Sequence, residues 1–237
     1  MKKISRAFVV ANNGKPFALQ VKKEVQSFLS KRGISRSVSS PQLIITVGGD
    51  GTVLFSKKYY GIPFFSIGSK TSFICPANFS DWREKLSRAL RDGKLEGRLL
   101  LEASVNGKKL PLSLNEIGIR NPEPRLLSMH LQVGKKHFAF RADGVFFSTP
   151  TGSMAYCYSC GGKEMKRTAK AYQAVAIAPF GRLFHPTIIP ASSACILRVS
   201  GVDRAHLFID GQPAGIFSEK DTLRIRASKK VFLFLEV

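Results

Sequence analysis

The chain has 237 residues, 44% hydrophobic and 22% charged, enough to bury a core in one large domain or two small ones. Lys and Arg number 37 against 16 Asp and Glu, a formal net charge of +21, which favours phosphate-rich partners. No run approaches the roughly 20 apolar residues that span a bilayer, and 4 cysteines are too few for a disulfide framework of this length, so a cytoplasmic protein with no membrane partner is expected.

The opening MKKISRAFVVANNGK has a basic tip but too short an apolar run for a signal peptide, and Ile4 to Ala11 reads as a first strand. Lys15 to Arg32 carries Phe17, Val21, Val25, Phe28 and Leu29 at helical spacing, with Gly33 as its stop. Gln42 to Val47 is a short apolar strand, GGDGT a turn, and Val53 to Tyr59 the start of a helix. Ile62 to Ile67 is another strand. Ser80 can cap a helix holding Trp82, Leu86, Ala89 and Leu90, closed near Gly93. This alternation predicts an α/β domain over residues 1–98.

From about Leu99 the texture changes to short β-rich segments punctuated by NG, GK, DG and SKK turns, which predicts a second, all-β domain over residues 99–237. No long linker separates the halves, so a cleft between them is the expected ligand site. Cys157 and Cys160 have the spacing of half a zinc site, but Cys75 and Cys195 form no second local pair, so the four read as small, partly buried thiols. The basic residues fall in helix-like surface segments, among them Lys163, Lys166, Arg167 and Lys170, with no aromatic-interleaved RNA motif. Nucleic acid is therefore not expected as a partner.

The turn Gly48-Gly49-Asp50-Gly51-Thr52 presents bare backbone N–H groups suited to phosphate, yet holds a carboxylate that would repel it. As a plain strand-to-helix turn, Asp50 is an N-cap. As a site, Asp50 either holds Mg²⁺ or takes the proton from a hydroxyl that attacks a phosphoryl group. Both roles imply phosphoryl transfer. No G-x-x-x-x-G-K-[ST] occurs, so this is not a P-loop.

GGDGT is shared by NAD kinases, phosphofructokinases and lipid kinases. Asn115 and Glu116 in LSLNEIGIR, then RADGVFFSTPTGSMAY (141–156), Gly161-Gly162, AIAPFGRLFHPTIIP and the late Asp210-Gly211-Gln212 turn closely resemble the NAD kinase signature in order and spacing. The resemblance implies a two-domain enzyme with an interdomain active-site cleft, phosphorylating the 2′-hydroxyl of the adenosine ribose of NAD with ATP or polyphosphate and Mg²⁺. It makes Asp50 the base and Gly48, Gly49, Gly51 and Thr52 the donor-phosphate turn. NAD would contact Asp50, Gly51, Phe73, Asn115, Glu116, Arg141, Asp143, Met154, Ala155, Tyr156, Ser159 and Gln212. Asn115 would lie near the adenine, Asp143 would bond sugar or amide groups, and Tyr156 would stack on a ring.

A homo-oligomer, dimer or tetramer, is implied by the relatives. Met154 stands where the family usually has Thr, and the loop Gly68 to Phe73 departs from the family's Asn and Gly-Phe pattern. Turn chemistry alone equally explains Asp210-Gly211 as a hairpin and Tyr156 as core. The rival readings are a sugar or lipid kinase of the same superfamily, and a non-catalytic basic module binding dinucleotide or nucleic acid.

Overall fold

A computed structural model describes residues 3–201 and 204–236. The chain divides into two compact units, one running to Arg98 and rejoined by the segment from Val231, the other Leu99–Lys230.

The first unit contains β1 (Arg6–Ala11), α1 (Pro16–Ser30), β2 (Ser35–Arg36), β3 (Leu43–Val47), α2 (Asp50–Phe55), β4 (Phe64–Gly68), β5 (Ala77–Asn78) and α3 (Trp82–Asp92). Strands β2, β1, β3 and β4 pair in parallel in that order, and β5 extends the far end of β4. Parallel strands need crossovers, and α1 supplies one. Its apolar stripe, Ala18, Val25 and Leu29, packs on Leu43, Ile45, Val47, Phe65 and Ile67, beside Trp82 and Leu86 of α3. Gly33 ends α1 as expected, at φ +71°. Ile34 N–H returns to Leu29 O and Gly33 N–H to Ser30 O, the pair of bonds that satisfies the last helical carbonyls when glycine turns left-handed.

Two sequence expectations shift here. Helix α2 begins at Asp50 rather than Val53 and breaks at Ser56 into a 3-10 turn over Lys57–Tyr59. Asp81, not Ser80, stands at the N-cap of α3, because Ser80 turns back to give both its N–H and its hydroxyl to Asn78 Oδ1.

The second unit contains part of β6 (Lys94–Val105), then β7 (Lys108–Lys109), β8 (Glu116–Arg120), β9 (Leu127–Val133), β10 (Lys136–Ala142), β11 (Gly144–Ser148), α4 (Tyr156–Ser159), β12 (Ala171–Ile177), β13 (Thr187–Pro190), β14 (Ala194–Ser200), β15 (Ala205–Ile209), β16 (Gln212–Phe217) and the start of β17 (Leu223–Glu236). One sheet runs β10-β9-β14-β17 with β6 beside β17, and the other β13-β12-β11-β8-β15-β16. Leu131, Phe140, Leu197 and Ile225 of the first sheet share a core with Ile117, Val145, Phe147, Tyr172 and Leu207 of the second, a face-to-face β packing. The β-rich expectation holds, although short helical turns interrupt it at Thr151–Met154, α4 and Phe180–Arg182.

The Asn106-Gly107 and Asp210-Gly211 dipeptides form two-residue hairpin turns with positive φ at both positions. The SKK segment is not a turn: β17 runs straight through Ser228, Lys229 and Lys230. Its first residues pair with β14, and beyond them Phe234 pairs with Phe64 of β4, so the chain's end belongs to the first unit rather than to the β-rich half. Buried Phe232, Phe234 and Leu235 account for this, since β4 offers Phe64 as a partner ring. The basic stretch Lys163 to Lys170 is irregular rather than helical, clasped by Gln173, which accepts from Lys163 N–H and donates to Lys163 O.

Candidate functional site

In the first unit the glycine turn follows buried β3. Gly48 sits at φ +142° and Gly49 at φ +104°, and a Cβ on Gly48 would lie 2.6 Å from Thr52 Oγ1 and 2.7 Å from Asn12 Cβ. Only glycine fits that backbone and that gap. Gly48 N–H is used by Ile67 O and Thr52 N–H by Gly49 O. Among the described residues, no protein acceptor takes the N–H of Gly49, Asp50 or Gly51. Thr52 Oγ1 is buried without a partner. An unpaired buried hydroxyl costs about 1–3 kcal/mol unless a ligand meets it, so the turn is built to receive hydrogen-bonding groups from outside.

Asp50 is held in place rather than free to wander. Its Oδ2 accepts from Phe73 N–H at 2.8 Å and its Oδ1 from Ile74 N–H at 3.1 Å, with Cys75 Sγ at 3.5 Å. Burial, then the charge of Asp50, pushes the Cys75 thiol far up, so the sulfur stays a neutral donor beside the carboxylate. The loop is drawn in by Ser72, whose side chain packs against Gly68, where a Cβ would come within 2.3 Å of Ser72 Oγ. Phe73 presents its ring to solvent. Thus Gly51 and Phe73 are exposed on either side of the partly buried Asp50, while Gly48, Gly49 and Thr52 are buried in the turn itself.

In the second unit Asn115 and Glu116 enter β8 buried. The clamp on them is Asp210, itself 4% exposed. Asp210 Oδ1 accepts from Ser113 Oγ and Asn115 N–H at 2.7 Å and from Glu116 N–H at 3.2 Å, and its Oδ2 from Leu114 N–H at 3.1 Å. The turn Thr149–Gly152 closes over the same backbone. Thr149 N–H donates to Asn115 O, Thr149 Oγ1 to Leu114 O, and a Cβ on Gly152 would lie 2.5 Å from Asn115 O.

With its backbone fixed from both sides, Asn115 leaves Oδ1 buried and unpartnered, as is Thr151 Oγ1 nearby in sequence to Gly152. Two buried polar atoms without partners are rare enough to mark a place where a polar ligand completes the bonding.

Met154 and Ala155 are half-buried on the helical turn that follows, while Tyr156 and Ser159 are exposed on α4. Tyr156 is 40% exposed, so it is not core; one ring face stacks on Phe146 at 5.3 Å between centroids and 20° between planes. Burial, then the adjacent Cys160, raises its hydroxyl, with the charge of Arg120 opposing the shift and that of Asp143 adding to it. Asp143 lies at the β10–β11 junction, where its carbonyl accepts from Asn121 N–H.

Gln212 is exposed directly after the Asp210-Gly211 turn. Arg141 stands on β10 with its guanidinium 5.5 Å from the Phe180 ring centre, apart from the contacts that gather Asn115. Among the described residues no three His, Cys, Asp or Glu side chains converge as a metal cage, and all 4 cysteines are free.

Sequence reading alone missed Asp210 as a clamp, since turn chemistry accounts for an Asp before Gly. It also missed Thr149 and Phe146, whose only signal is membership of the STPTGSMAY run, and Cys75.

Comparison with known proteins agrees with the motif set. The family model described as the ATP-NAD kinase C-terminal domain matches residues 114–237. An NAD kinase of Treponema denticola is 32% identical over 252 aligned residues, covering 95% of this chain and 88% of that protein. An NAD kinase of Methanosarcina barkeri is 32% identical, covering 83% of this chain and 74% of its own length. Among solved structures, yeast NADH kinase complexed with NADH superposes with a TM-score of 0.88 at 17% identity, over 100% of this chain and 84% of that one. An Archaeoglobus fulgidus NAD kinase in complex with ATP gives 0.82 at 23% identity, over 98% and 93%. The described helices include none long and apolar enough to cross a membrane. With a family model matched over half its length and a 32% identical relative along nearly all of it, the chain belongs to the NAD kinase family.

Proposed function

We propose that this enzyme transfers the terminal phosphoryl group of ATP to the 2′-hydroxyl of the adenosine ribose of NAD, making NADP. The observation that carries the reading is the placement of Asp50. Its carboxylate is fixed by Phe73 and Ile74 N–H groups directly beside three turn N–H groups that no protein acceptor uses among the described residues.

In the step we assign, Asp50 takes the 2′-hydroxyl proton, the ribose oxygen attacks the terminal phosphorus, and the bond to the bridging oxygen breaks to release ADP. The N–H groups of Gly49 and Gly51 would steady the phosphate oxygens. Because phosphoryl transfer demands little covalent chemistry from the protein, alignment and fixed dipoles supply most of the acceleration. NAD is the acceptor class by family, with Asn115 Oδ1 as the acceptor for an adenine amino group and the free face of Tyr156 for ring stacking. Asp143 and Gln212 would then bond the remaining polar groups, and Met154 would line an apolar wall.

Mg²⁺ fits this donor set only as a passenger on the phosphates. Asp50 already accepts two N–H bonds, and Mg²⁺ is commonly held by substrate phosphates, waters and one or two carboxylates. When bound it would screen the phosphate charge. The enzyme is proposed to be cytoplasmic and homo-oligomeric, the latter testable by light scattering of the purified chain.

The test is NADP formation from NAD, Mg²⁺ and ATP, with polyphosphate run in parallel. Asp50→Asn should lower kcat by roughly 10²–10⁴-fold while leaving NAD binding intact. Near-normal turnover in that variant would remove Asp50 as the base.

A further inference from the structure

Lys15 lies 33 residues before Gly48, yet its ammonium reaches to 3.2 Å from the Gly48 carbonyl oxygen. Three observations make this contact more than a surface clasp. First, the loop that carries Lys15 is pressed onto the glycine turn, since a Cβ on Gly48 would sit 2.7 Å from Asn12 Cβ. Second, on the same side of Gly48 lies Thr52 Oγ1, the hydroxyl of a residue 5% exposed, which no protein group partners.

Third, Lys15 is itself the N-cap of α1, a 15-residue helix with no side-chain cap and no acid in its first turn. No acid in that first turn offsets the lysine's charge, and the positive end of the helix dipole has the same sign, so both favour an anion near this loop. Asp50 is not that anion, because its oxygens face the Phe73 and Ile74 N–H groups.

We propose that Lys15 is a donor-binding residue: its ammonium leaves the Gly48 carbonyl to take a non-bridging oxygen of the incoming phosphate chain, over the Thr52 hydroxyl. This rests on the phosphoryl-transfer reading given above. The side chain suits the task, because an ammonium on a four-carbon stem is a mobile point charge that can follow a phosphate without fixed bidentate geometry. It also joins the Asn12–Lys15 loop to the donor side of the site, a role that no motif in that loop announces.

Two measurements on the full chain test the assignment. Steady-state NADP formation with ATP varied at saturating NAD should show Lys15→Met raising the KM for ATP roughly 10- to 100-fold, with the KM for NAD unchanged. Calorimetric titration with inorganic tripolyphosphate should show the same loss without any turnover, and Lys15→Arg should recover most of it. Unchanged donor KM and tripolyphosphate affinity in Lys15→Met would overturn the proposal. So would equal losses in both variants accompanied by a lowered melting temperature, which would make Lys15 a structural clasp on Gly48. If the wild-type chain binds tripolyphosphate through Lys15 but forms no NADP, the assigned reaction fails and the phosphate site stands.

Discussion

Asp210→Asn isolates what one buried carboxylate does for this fold. Asparagine tolerates the +51° φ of position 210, and Asn-Gly is the preferred pair for this hairpin turn, so the turn itself is spared. What changes is the clamp on residues 113–116. An asparagine can keep its oxygen where Ser113 Oγ, Asn115 N–H and Glu116 N–H converge, but its amide nitrogen then faces Leu114 N–H, donor against donor, at about the 3.1 Å now spanned by a hydrogen bond. Stranding one buried donor costs about 1–3 kcal/mol. The other bonds lose their charge assistance, roughly half their strength. Removing a buried charge relieves some desolvation, which offsets part of this. A net destabilisation of about 3 kcal/mol follows, or a melting temperature lower by roughly 6–12 °C for a chain of this size. Because the same backbone carries Asn115 and Glu116, the KM for NAD should rise while the KM for ATP holds. Calorimetric melting and steady-state kinetics read the two effects separately. A melting temperature within about 2 °C of wild type would refute the idea that the carboxylate, rather than the turn, organises this strand.

Other perturbations follow from single contacts. Gly152→Ala should drive a Cβ to 2.5 Å from Asn115 O and destabilise by about 1–3 kcal/mol, with weakened NAD binding measured by fluorescence quenching. Gly48→Ala meets both a left-handed φ and two contacts under 3 Å, so it should abolish donor binding to tripolyphosphate while leaving an NAD-binding signal. Arg98 is 1% exposed, paired with Glu96 and at 2.7 Å with Glu236, so Arg98→Ala removes a buried cation from two partly exposed carboxylates that water can reach, and should cost about 1–3 kcal/mol by chemical denaturation. Burial pushes the Cys157 and Cys195 thiols from 9.0 up to about 11. Their folded values exceed the unfolded ones, so this stability is complete below pH 9 and is lost as pH rises through about 11. The loss is about 1.4 kcal/mol per pH unit per thiol, and melting scans across that window should show it disappear at those sites in a Cys157→Ala, Cys195→Ala double variant.

What the sequence discloses about this fold is whatever is local. Helix α1 is legible because its apolar spacing, its left-handed glycine and the Ile34-to-Leu29 bond lie within one stretch of chain. The Asn106-Gly107 and Asp210-Gly211 turns are legible because both positive φ angles are written into the dipeptides. The misreadings share a cause. Ser228, Lys229 and Lys230 look like a turn, but β17 continues because its two ends pair with β14 and β4, strands distant in sequence. Ser80 looks like a cap until Asn78 captures it, and Lys163 to Lys170 looks helical until Gln173 pins it.

The candidate site divides in the same way. Its ligand-facing residues sit in glycine-rich motifs that can be read directly, because close backbone approach demands glycine. Its supports cannot be read so, since the groups that fix Asp50 are 23 to 24 residues away and the carboxylate that fixes Asn115 N–H is 95 away. A carboxylate before glycine at position 210 satisfies hairpin chemistry completely, and nothing local reveals that its oxygens are already spent on another strand. Positioning residues should therefore be sought among motif residues whose local role is fully explained but whose side chain is buried. Asp210 meets both conditions, at 4% exposure with four donors converging on it.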